Sequence, residues 1–197
     1  IWYDMFGINL SMPYKQSVIP YLDDLTESAL LIGAVNTVLH QDGLLIGHNT
    51  DGIGFFKSLE TLRAFHVRNK RLTILGGGGA STAIIAQAAI DGAKEINIFC
   101  RPQSVERTVA TVQTIAQTTG VSLQVLPNND SQLLAEHINN SDLLINGTSV
   151  GMDGTSLPLP ATIRFPEELL VADVIYQPFE TPLLKMANSQ GNPTING

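Results

Sequence analysis

The strongest constraint on the fold is a run of four glycines that stands between two apolar segments. A short buried strand is predicted from Leu72 to Leu75, and it leads into the turn Gly76 to Gly79. A helix is predicted from Ala80 to Ile90. Glycines in this setting let the backbone approach a pyrophosphate closely, while the helix start supplies unpaired N–H groups and a positive dipole end. The order is typical of a dinucleotide-binding unit, although Ser81 replaces the third glycine of the usual fingerprint. The alternative interpretation is a flexible turn in a sheet protein.

Beyond the glycine turn, extended and helical patterns alternate along the chain. Extended segments are predicted at residues 96–99, 123–126, 142–146 and 169–176, and helices at 105–118 and 131–138. Short links between alternating strands and helices indicate a parallel sheet that is covered on both faces. We therefore predict an α/β protein with a Rossmann-like, doubly wound parallel sheet.

The first fifty residues follow a different pattern. The predicted elements are a strand from Gly7 to Leu10, a helix from Ser17 to Leu31, a hairpin of Val35 to Leu39 with Leu44 to Gly47, and then a helix from Asp51 to Phe65. We assign residues 1–51 to a smaller, partial α/β substrate domain. Residues 52–197 are assigned to the dinucleotide-binding domain, and its last few residues are predicted to start a return to the smaller domain.

Composition excludes several classes of function. Apolar residues make up 44% of the 197, charged residues make up 15%, and the net charge is -7 with no cluster of lysine and arginine. Binding to nucleic acid or to an anionic membrane is therefore not expected. The single cysteine, Cys100, cannot form an intrachain disulfide, which fits a cytoplasmic protein. The four histidines show no metal-ligand spacing, so no metal site is predicted.

Four polar residues in the first half are candidates for chemistry. Ser11 and Lys15 flank a proline turn, Asn36 follows an apolar segment, and Asp51 stands at a predicted helix start. Three of them have an ordinary alternative role: a solvated lysine, a turn asparagine, and a carboxylate that caps its helix. Local sequence leaves these alternatives open.

The segment after the second predicted strand bears on cofactor choice. NAD-binding folds commonly place an acidic residue about twenty residues beyond the glycines, on the ribose hydroxyls. Here that segment contains Arg101 and no acid. An arginine there is suited to a 2′-phosphate, which favours NADP over NAD, and the alternative is a solvated surface arginine.

Taken together, the motifs resemble the shikimate dehydrogenase family, of the shikimate/quinate 5-dehydrogenase type. The matching segments, in family order, are Ser11 to Lys15, Gly33 to Thr37, Asn49 to Gly52, the glycine turn, Asn146 to Met152, and Ile175 to Pro178 followed by Thr181 to Leu184. The resemblance implies an NADP- or NAD-dependent oxidoreductase that interconverts shikimate and 3-dehydroshikimate in chorismate and aromatic amino-acid biosynthesis. Quinate is a further possible substrate.

The resemblance also implies a role for each matching residue. Lys15 and Asp51 match the catalytic pair that exchanges the proton of the reacting hydroxyl. Ser11, Lys15, Asn36, Asp51 and Tyr176 match substrate-binding positions. The cofactor-binding positions are Gly76, Gly77, Gly78, Gly79, Ala80, Ser81, Arg101, Asn146, Thr148, Ser149 and Gly151.

Two departures from the family pattern qualify these expectations. Neither the family's first serine-containing segment nor its returning helices with a substrate-binding glutamine is visible, so the sequence looks truncated at both ends. Ser11 stands where many members carry threonine, which favours the type that also accepts quinate.

Two alternative functions remain open: a non-catalytic sensor of the same fold, or a related two-domain dehydrogenase with another substrate. The protein is expected to be a monomer or a homodimer.

Overall fold

The smaller sheet is built from the first fifty residues. The structure, a computed structural model, describes residues 5–11 and 13–197, so residues 1–4 of the predicted substrate domain and Met12 of the proline turn lie outside the described residues. The strands are β1 (Gly7–Asn9), β2 (Asp24–Leu25), β3 (Thr37–Gln41) and β4 (Leu44–His48), in the order β1-β3-β4-β2. The predicted hairpin is confirmed, because β3 and β4 pair antiparallel.

The predicted helix from Ser17 to Leu31 is wrong. The segment contains instead the end of α1 (Tyr14–Ser17), a 3-10 turn at Ile19–Tyr21, β2, and α2 (Glu27–Ile32). Pro20 lacks the N–H that a helix interior requires, and it restricts the residue before it, so a continuous helix cannot pass through this point. Strand β2 instead pairs parallel to β4.

The larger sheet has six parallel strands. They are β5 (Arg71–Leu75), β6 (Glu95–Cys100), β7 (Ser122–Pro127), β8 (Leu143–Asn146), β9 (Leu170–Asp173) and β10 (Thr194–Asn196), in the order β10-β9-β8-β5-β6-β7. The helices are α3 (Asp51–Arg63), α4 (Gly79–Ile90), α5 (Val105–Thr119), α6 (Ser131–Asn139) and α7 (Pro182–Ser189). The order reverses between β5 and β8, and the carboxyl ends of parallel strands at such a point form a ligand-binding crevice.

Each face of this sheet has its own core, as a doubly wound fold requires. Ile74 and Ile98 face one cluster, which contains Ile85 of α4 and Ile115 of α5. The alternate strand residues face a second cluster with α6 and α7. Helix α3 packs on α4 and contributes to the first cluster. The predicted Rossmann-like architecture is confirmed.

The end of the chain differs from the prediction. Residues 194–196 form an unpredicted strand, β10, which pairs parallel to β9 at the edge of the large sheet. That the last few residues start a return to the smaller domain stays a prediction. Helix α7, which precedes β10, was not predicted either. The predicted strand 169–176 is shorter, because β9 ends at Asp173. Strand β10 has only three residues, which are too few to show the periodicity of a strand in the sequence.

None of the helices in the described part of the chain has the length and apolar character needed to cross a membrane. Within residues 5–11 and 13–197, no group of three or more histidine, cysteine, aspartate or glutamate residues could hold a metal ion.

Candidate active site

Three of the predicted substrate-side residues meet in the structure. Lys15 Nζ donates a hydrogen bond to Asp51 Oδ2 at 2.8 Å, although 36 positions separate the two residues. Asn36 Nδ2 donates to the other carboxylate oxygen, Oδ1, at 2.7 Å. The Lys15 and Asp51 side chains keep 29% and 40% of their surface exposed, so a ligand can reach both. The carboxylate therefore orients an ammonium group that remains accessible.

Backbone hydrogen bonds fix the turn that carries Lys15. The N–H of Leu10 donates to the carbonyl of Asn36 at 2.7 Å, and the N–H of Val35 donates to the carbonyl of Lys15 at 2.7 Å. Within the turn, the N–H of Tyr14 donates to the carbonyl of Ser11 at 3.0 Å. Ser11 is exposed at the start of this turn. The proline turn and the asparagine segment are thus held side by side.

The ordinary helix-capping role of Asp51 does not describe its carboxylate. The N-cap position of α3 is Thr50, and the cap makes no side-chain hydrogen bond. Asp51 lies in the first turn, where the helix dipole favours a negative charge. Its carboxylate is directed at Lys15 and Asn36, while its N–H donates to Asn49 Oδ1 at 3.1 Å. Local sequence could not distinguish these two roles.

Asp51 begins α3, and this helix packs closely on α4. Gly52, next to Asp51, is buried, and a methyl group placed on it would stand 2.7 Å from Gln87 Cβ and would overlap the carbonyl of Ala83. Helix α3 therefore starts against Ala83 of α4, four residues beyond the first residue of that helix.

The glycine turn lines a cleft of about 360 Å³ at the carboxyl ends of β5, β6 and β8. Its lining residues are Leu75, Gly76, Gly77, Gly78, Phe99, Cys100, Arg101, Ser104, Arg107, Thr108, Asn128, Gly147, Thr148, Ser149, Val150 and Pro158. Gly76 has a φ of +98°, and a Cβ there would stand 2.7 Å from Thr148 Cγ2. Glycine at this position therefore lets the loop after β8 pack directly on the turn.

The start of α4 suits an anion. Its N-cap residue, Gly78, makes no side-chain cap, and its first turn contains no acidic residue. The first N–H groups of the helix therefore keep their hydrogen-bonding capacity and the positive end of the dipole. A dinucleotide pyrophosphate fits this end of the cleft.

Two arginines line the same cleft. Arg101 follows β6, as predicted, and Arg107 lies on α5. Among the lining residues in the described part of the chain there is no carboxylate that would repel a phosphate. Sequence reasoning missed Arg107, although Ser104, Arg107 and Thr108 have the i, i+3, i+4 spacing of one helix face.

Of the predicted cofactor residues, six line the cleft and five do not. Gly76, Gly77, Gly78, Arg101, Thr148 and Ser149 line it, whereas Gly79, Ala80, Ser81, Asn146 and Gly151 do not. Gly79 and Ala80 are exposed in the first turn of α4. Ser81 is fully buried and its hydroxyl donates to the carbonyl of Gly147 at 3.3 Å.

Three further predicted residues, Asn146, Gly151 and Tyr176, do not line the cleft. The Asn146 side chain is fully buried, and its hydrogen bonds support the loop that follows it, while its predicted cofactor-side role stays a prediction. Gly151, in that same loop, is buried. Tyr176, just beyond β9, is 75% exposed.

Known proteins resemble this chain over nearly its whole length. The family described as "Shikimate dehydrogenase substrate binding domain" matches residues 3–38. A shikimate dehydrogenase (NADP(+)) of Streptococcus suis (strain 05ZYH33) is 82% identical over 195 residues, which are 99% of this chain and 68% of that protein. The crystal structure of a shikimate 5-dehydrogenase from Listeria monocytogenes in complex with shikimate and NAD is 41% identical, has a TM-score of 0.92, and aligns with 98% of this chain and 68% of its own.

A quinate dehydrogenase also resembles the chain. The structure of quinate dehydrogenase from Corynebacterium glutamicum in complex with NAD is 28% identical with a TM-score of 0.84, and the match covers 97% of this chain and 66% of that one. The same fold therefore serves proteins named for either substrate.

Proposed function

The chain belongs to the shikimate dehydrogenase family, and from that premise we propose that it interconverts shikimate and 3-dehydroshikimate with NADP as the hydride acceptor or donor. The observation that carries this proposal is the 2.8 Å contact between Lys15 Nζ and Asp51 Oδ2, with Asn36 Nδ2 bound to the other carboxylate oxygen. The reaction is a step of chorismate biosynthesis, and hence of aromatic amino-acid biosynthesis.

The Lys15–Asp51 pair performs the proton half of this reaction. When the ring carbon of shikimate gives up a hydride, its hydroxyl must give up a proton, and an amine within hydrogen-bonding distance can take that proton. We assign this transfer to Lys15 Nζ. Asp51 holds the ammonium in place and accepts a hydrogen bond from the substrate, and Asn36 fixes the carboxylate from its other oxygen. Ser11 and Tyr176 complete the proposed contacts to substrate.

The cleft performs the cofactor half. The nicotinamide nucleotide supplies the hydride chemistry when bound, and the protein supplies its orientation. We propose that the backbone of the glycine turn and the start of α4 hold the pyrophosphate, that Arg101 and Arg107 hold the 2′-phosphate, and that Thr148 and Ser149 lie on the nicotinamide side. The lining composition supports this arrangement.

The proposed function is tested by steady-state kinetics on the full-length protein. Shikimate and quinate are each measured with NADP and with NAD, and the formation of reduced nicotinamide is followed. Shikimate with NADP is expected to give the highest kcat/KM of the four pairs. Absence of shikimate-dependent reduction with either nucleotide would favour the non-catalytic alternative.

Neutralising the two arginines is expected to remove the preference for NADP. The double variant Arg101→Gln, Arg107→Gln should raise the KM for NADP by about tenfold or more, since charge-assisted hydrogen bonds to the 2′-phosphate are lost. The KM for NAD should change little, because NAD lacks that phosphate. Equal losses with both nucleotides would show that the arginines do not bind the 2′-phosphate. Arg164, which does not line the cleft, provides the control Arg164→Gln.

Oxidation of quinate is a second candidate activity. Ser11 in place of the family's common threonine supports it, as does the likeness to a quinate dehydrogenase. Loss of the threonine methyl leaves more space beside the substrate ring. Quinate turnover in the same kinetic experiment decides this point.

We further propose a division into a partial substrate domain, residues 1–51, and a nucleotide domain, residues 52–197. The last strand pair of the smaller sheet ends at His48 and α3 begins at Asp51, which supports a boundary between them. A cytoplasmic location and a monomeric or homodimeric state are proposed on the family premise. Size-exclusion chromatography with light scattering would determine the oligomeric state.

A further inference from the structure

One buried carboxylate takes no part in the roles assigned above. Asp173 ends β9 and is fully buried. Burial raises the pKa of this carboxyl, and hydrogen bonds from Ile175, Thr181 and Asn146 oppose the rise. A buried carboxylate is costly unless donors surround it, so its presence here calls for a structural or functional reason.

Asp173 closes the loop that carries Tyr176. The N–H of Ile175 donates to Asp173 Oδ1 at 3.0 Å, and the hydroxyl of Thr181 donates to Oδ2 at 2.7 Å. Thr181 is also the N-cap of α7, where its hydroxyl accepts from the N–H of Leu184 at 3.3 Å. Both ends of the loop 174–181 are therefore attached to one carboxylate.

Asp173 also reaches the loop that lines the cofactor cleft, through Asn146. Asn146 Nδ2 is 3.1 Å from each carboxylate oxygen of Asp173 and donates to the carbonyl of Val150 at 3.0 Å. Asn146 Oδ1 accepts from the hydroxyl and the N–H of Thr148, at 2.7 and 3.1 Å. Thr148 in turn packs against Gly76 of the glycine turn. The contacts run without interruption from Asp173 to the cleft wall.

We propose that Asp173 is a positioning residue for the dehydrogenase reaction, whose carboxylate holds the cleft-lining loop 147–151 in register with the loop 174–181 that carries Tyr176. This inference rests on the proposed function, because it assigns the nicotinamide side of the cleft to these loops. The two loops follow neighbouring strands, β8 and β9, so a single side chain can set the distance between them.

The test compares two ligands that occupy different parts of the cleft. NADPH is proposed to contact the loop 147–151, whereas adenosine 2′,5′-bisphosphate has only the adenosine and phosphate groups assigned to Arg101 and Arg107. These arginines follow β6, and β5 separates β6 from β8, so the two regions are about 10 Å apart at ordinary strand spacing. Asp173→Ala removes the hydrogen bonds that Asn146, Ile175 and Thr181 donate to the carboxylate, and so frees both loops.

Asp173→Ala is expected to raise the dissociation constant for NADPH about tenfold, because small displacements of the groups that position a ligand weaken its binding. The dissociation constant for adenosine 2′,5′-bisphosphate should stay unchanged. Both constants are measured by isothermal titration calorimetry. Should Asp173→Ala not fold, Asp173→Asn carries the test, with an expected selective loss of about threefold from one altered hydrogen bond.

The matched control is Asn192→Ala. Asn192 is also buried, and its Nδ2 donates to the carbonyls of Pro166 and Leu169, at 2.6 and 3.2 Å, near the start of β9 and away from the cleft. Asn192→Ala should lower the melting temperature without changing the dissociation constant for NADPH or for adenosine 2′,5′-bisphosphate. The inference would be overturned if the Asp173 variant bound both ligands equally more weakly, or if it bound neither more weakly. It would also be overturned if Asn192→Ala showed the same selective loss of NADPH binding. If the parent binds NADPH but does not oxidise shikimate, the proposed function fails, while a selective loss in Asp173→Ala would still support the positioning role.

Discussion

Replacing Lys15 with alanine is expected to lower the kcat for shikimate oxidation by about 10²–10⁴-fold, the usual contribution of a positioned proton-transfer group. The ammonium of Lys15 lies 2.8 Å from Asp51 Oδ2, and this pair is the proposed route for the hydroxyl proton. Binding of NADPH should survive, because Lys15 does not line the cofactor cleft. Steady-state kinetics and NADPH titration of the full-length protein measure the two effects separately.

A second lysine provides the control for this substitution. Lys57 lies on α3, forms an ion pair with Glu60 at 2.8 Å, and has 71% of its side chain exposed. Lys57→Ala should retain the kcat of the parent. The catalytic assignment would be refuted by a Lys15→Ala protein that turns over shikimate as fast as Lys57→Ala does.

Gly52→Ala is expected to have the largest effect on stability. Alanine would ordinarily strengthen a helix, by about 1 kcal/mol relative to glycine. At Gly52, however, the added methyl overlaps the carbonyl of Ala83 and stands 2.7 Å from Gln87 Cβ, so α3 and α4 must move apart. We expect the free energy of unfolding to fall by about 1–3 kcal/mol, as is usual for overpacking. Turnover should also fall, because the neighbouring Asp51 moves with α3.

Gly54 tests the same substitution on the same helix without the packing conflict. It is exposed, and a Cβ there would meet no heavy atom within 4 Å. Gly54→Ala should therefore raise the free energy of unfolding by about 0.5–1 kcal/mol. Urea denaturation of both variants compares them directly. If Gly52→Ala were as stable as Gly54→Ala, the close contact between α3 and α4 would be disproved.

The parts of the fold that sequence predicted well are those with strong local signals. The glycine turn, the strand before it and α4 follow from apolar pattern and glycine content, and the hairpin β3–β4 follows from the turn Gln41 to Gly43. The helix predicted across Pro20 is wrong, because proline lacks the N–H that a helix interior requires and the chain forms shorter elements there. Strand β10 was missed because only three residues form it.

The candidate site was predicted less evenly, for physical reasons. Lys15 and Asp51 are distant in sequence, and only the resemblance to a family, not local pattern, indicated that they meet. Arg107 was missed because it becomes a cleft residue only when α5 is placed beside β6. Asp173 was missed because its function depends on a network of donors from three separate segments. Its place in the cleft lining identifies Arg107, and burial with hydrogen bonding identifies Asp173.

The most direct test of the central proposal is a crystal structure of the full-length protein with shikimate and NADP bound. The reacting ring hydroxyl should lie within hydrogen-bonding distance of Lys15 Nζ, with Asp51 bound to the same or the neighbouring hydroxyl, and the carbon that bears it should face the nicotinamide. If shikimate were bound with no hydroxyl in contact with either side chain, the pair would not be the proton-exchange site and the mechanism proposed for this protein would be wrong.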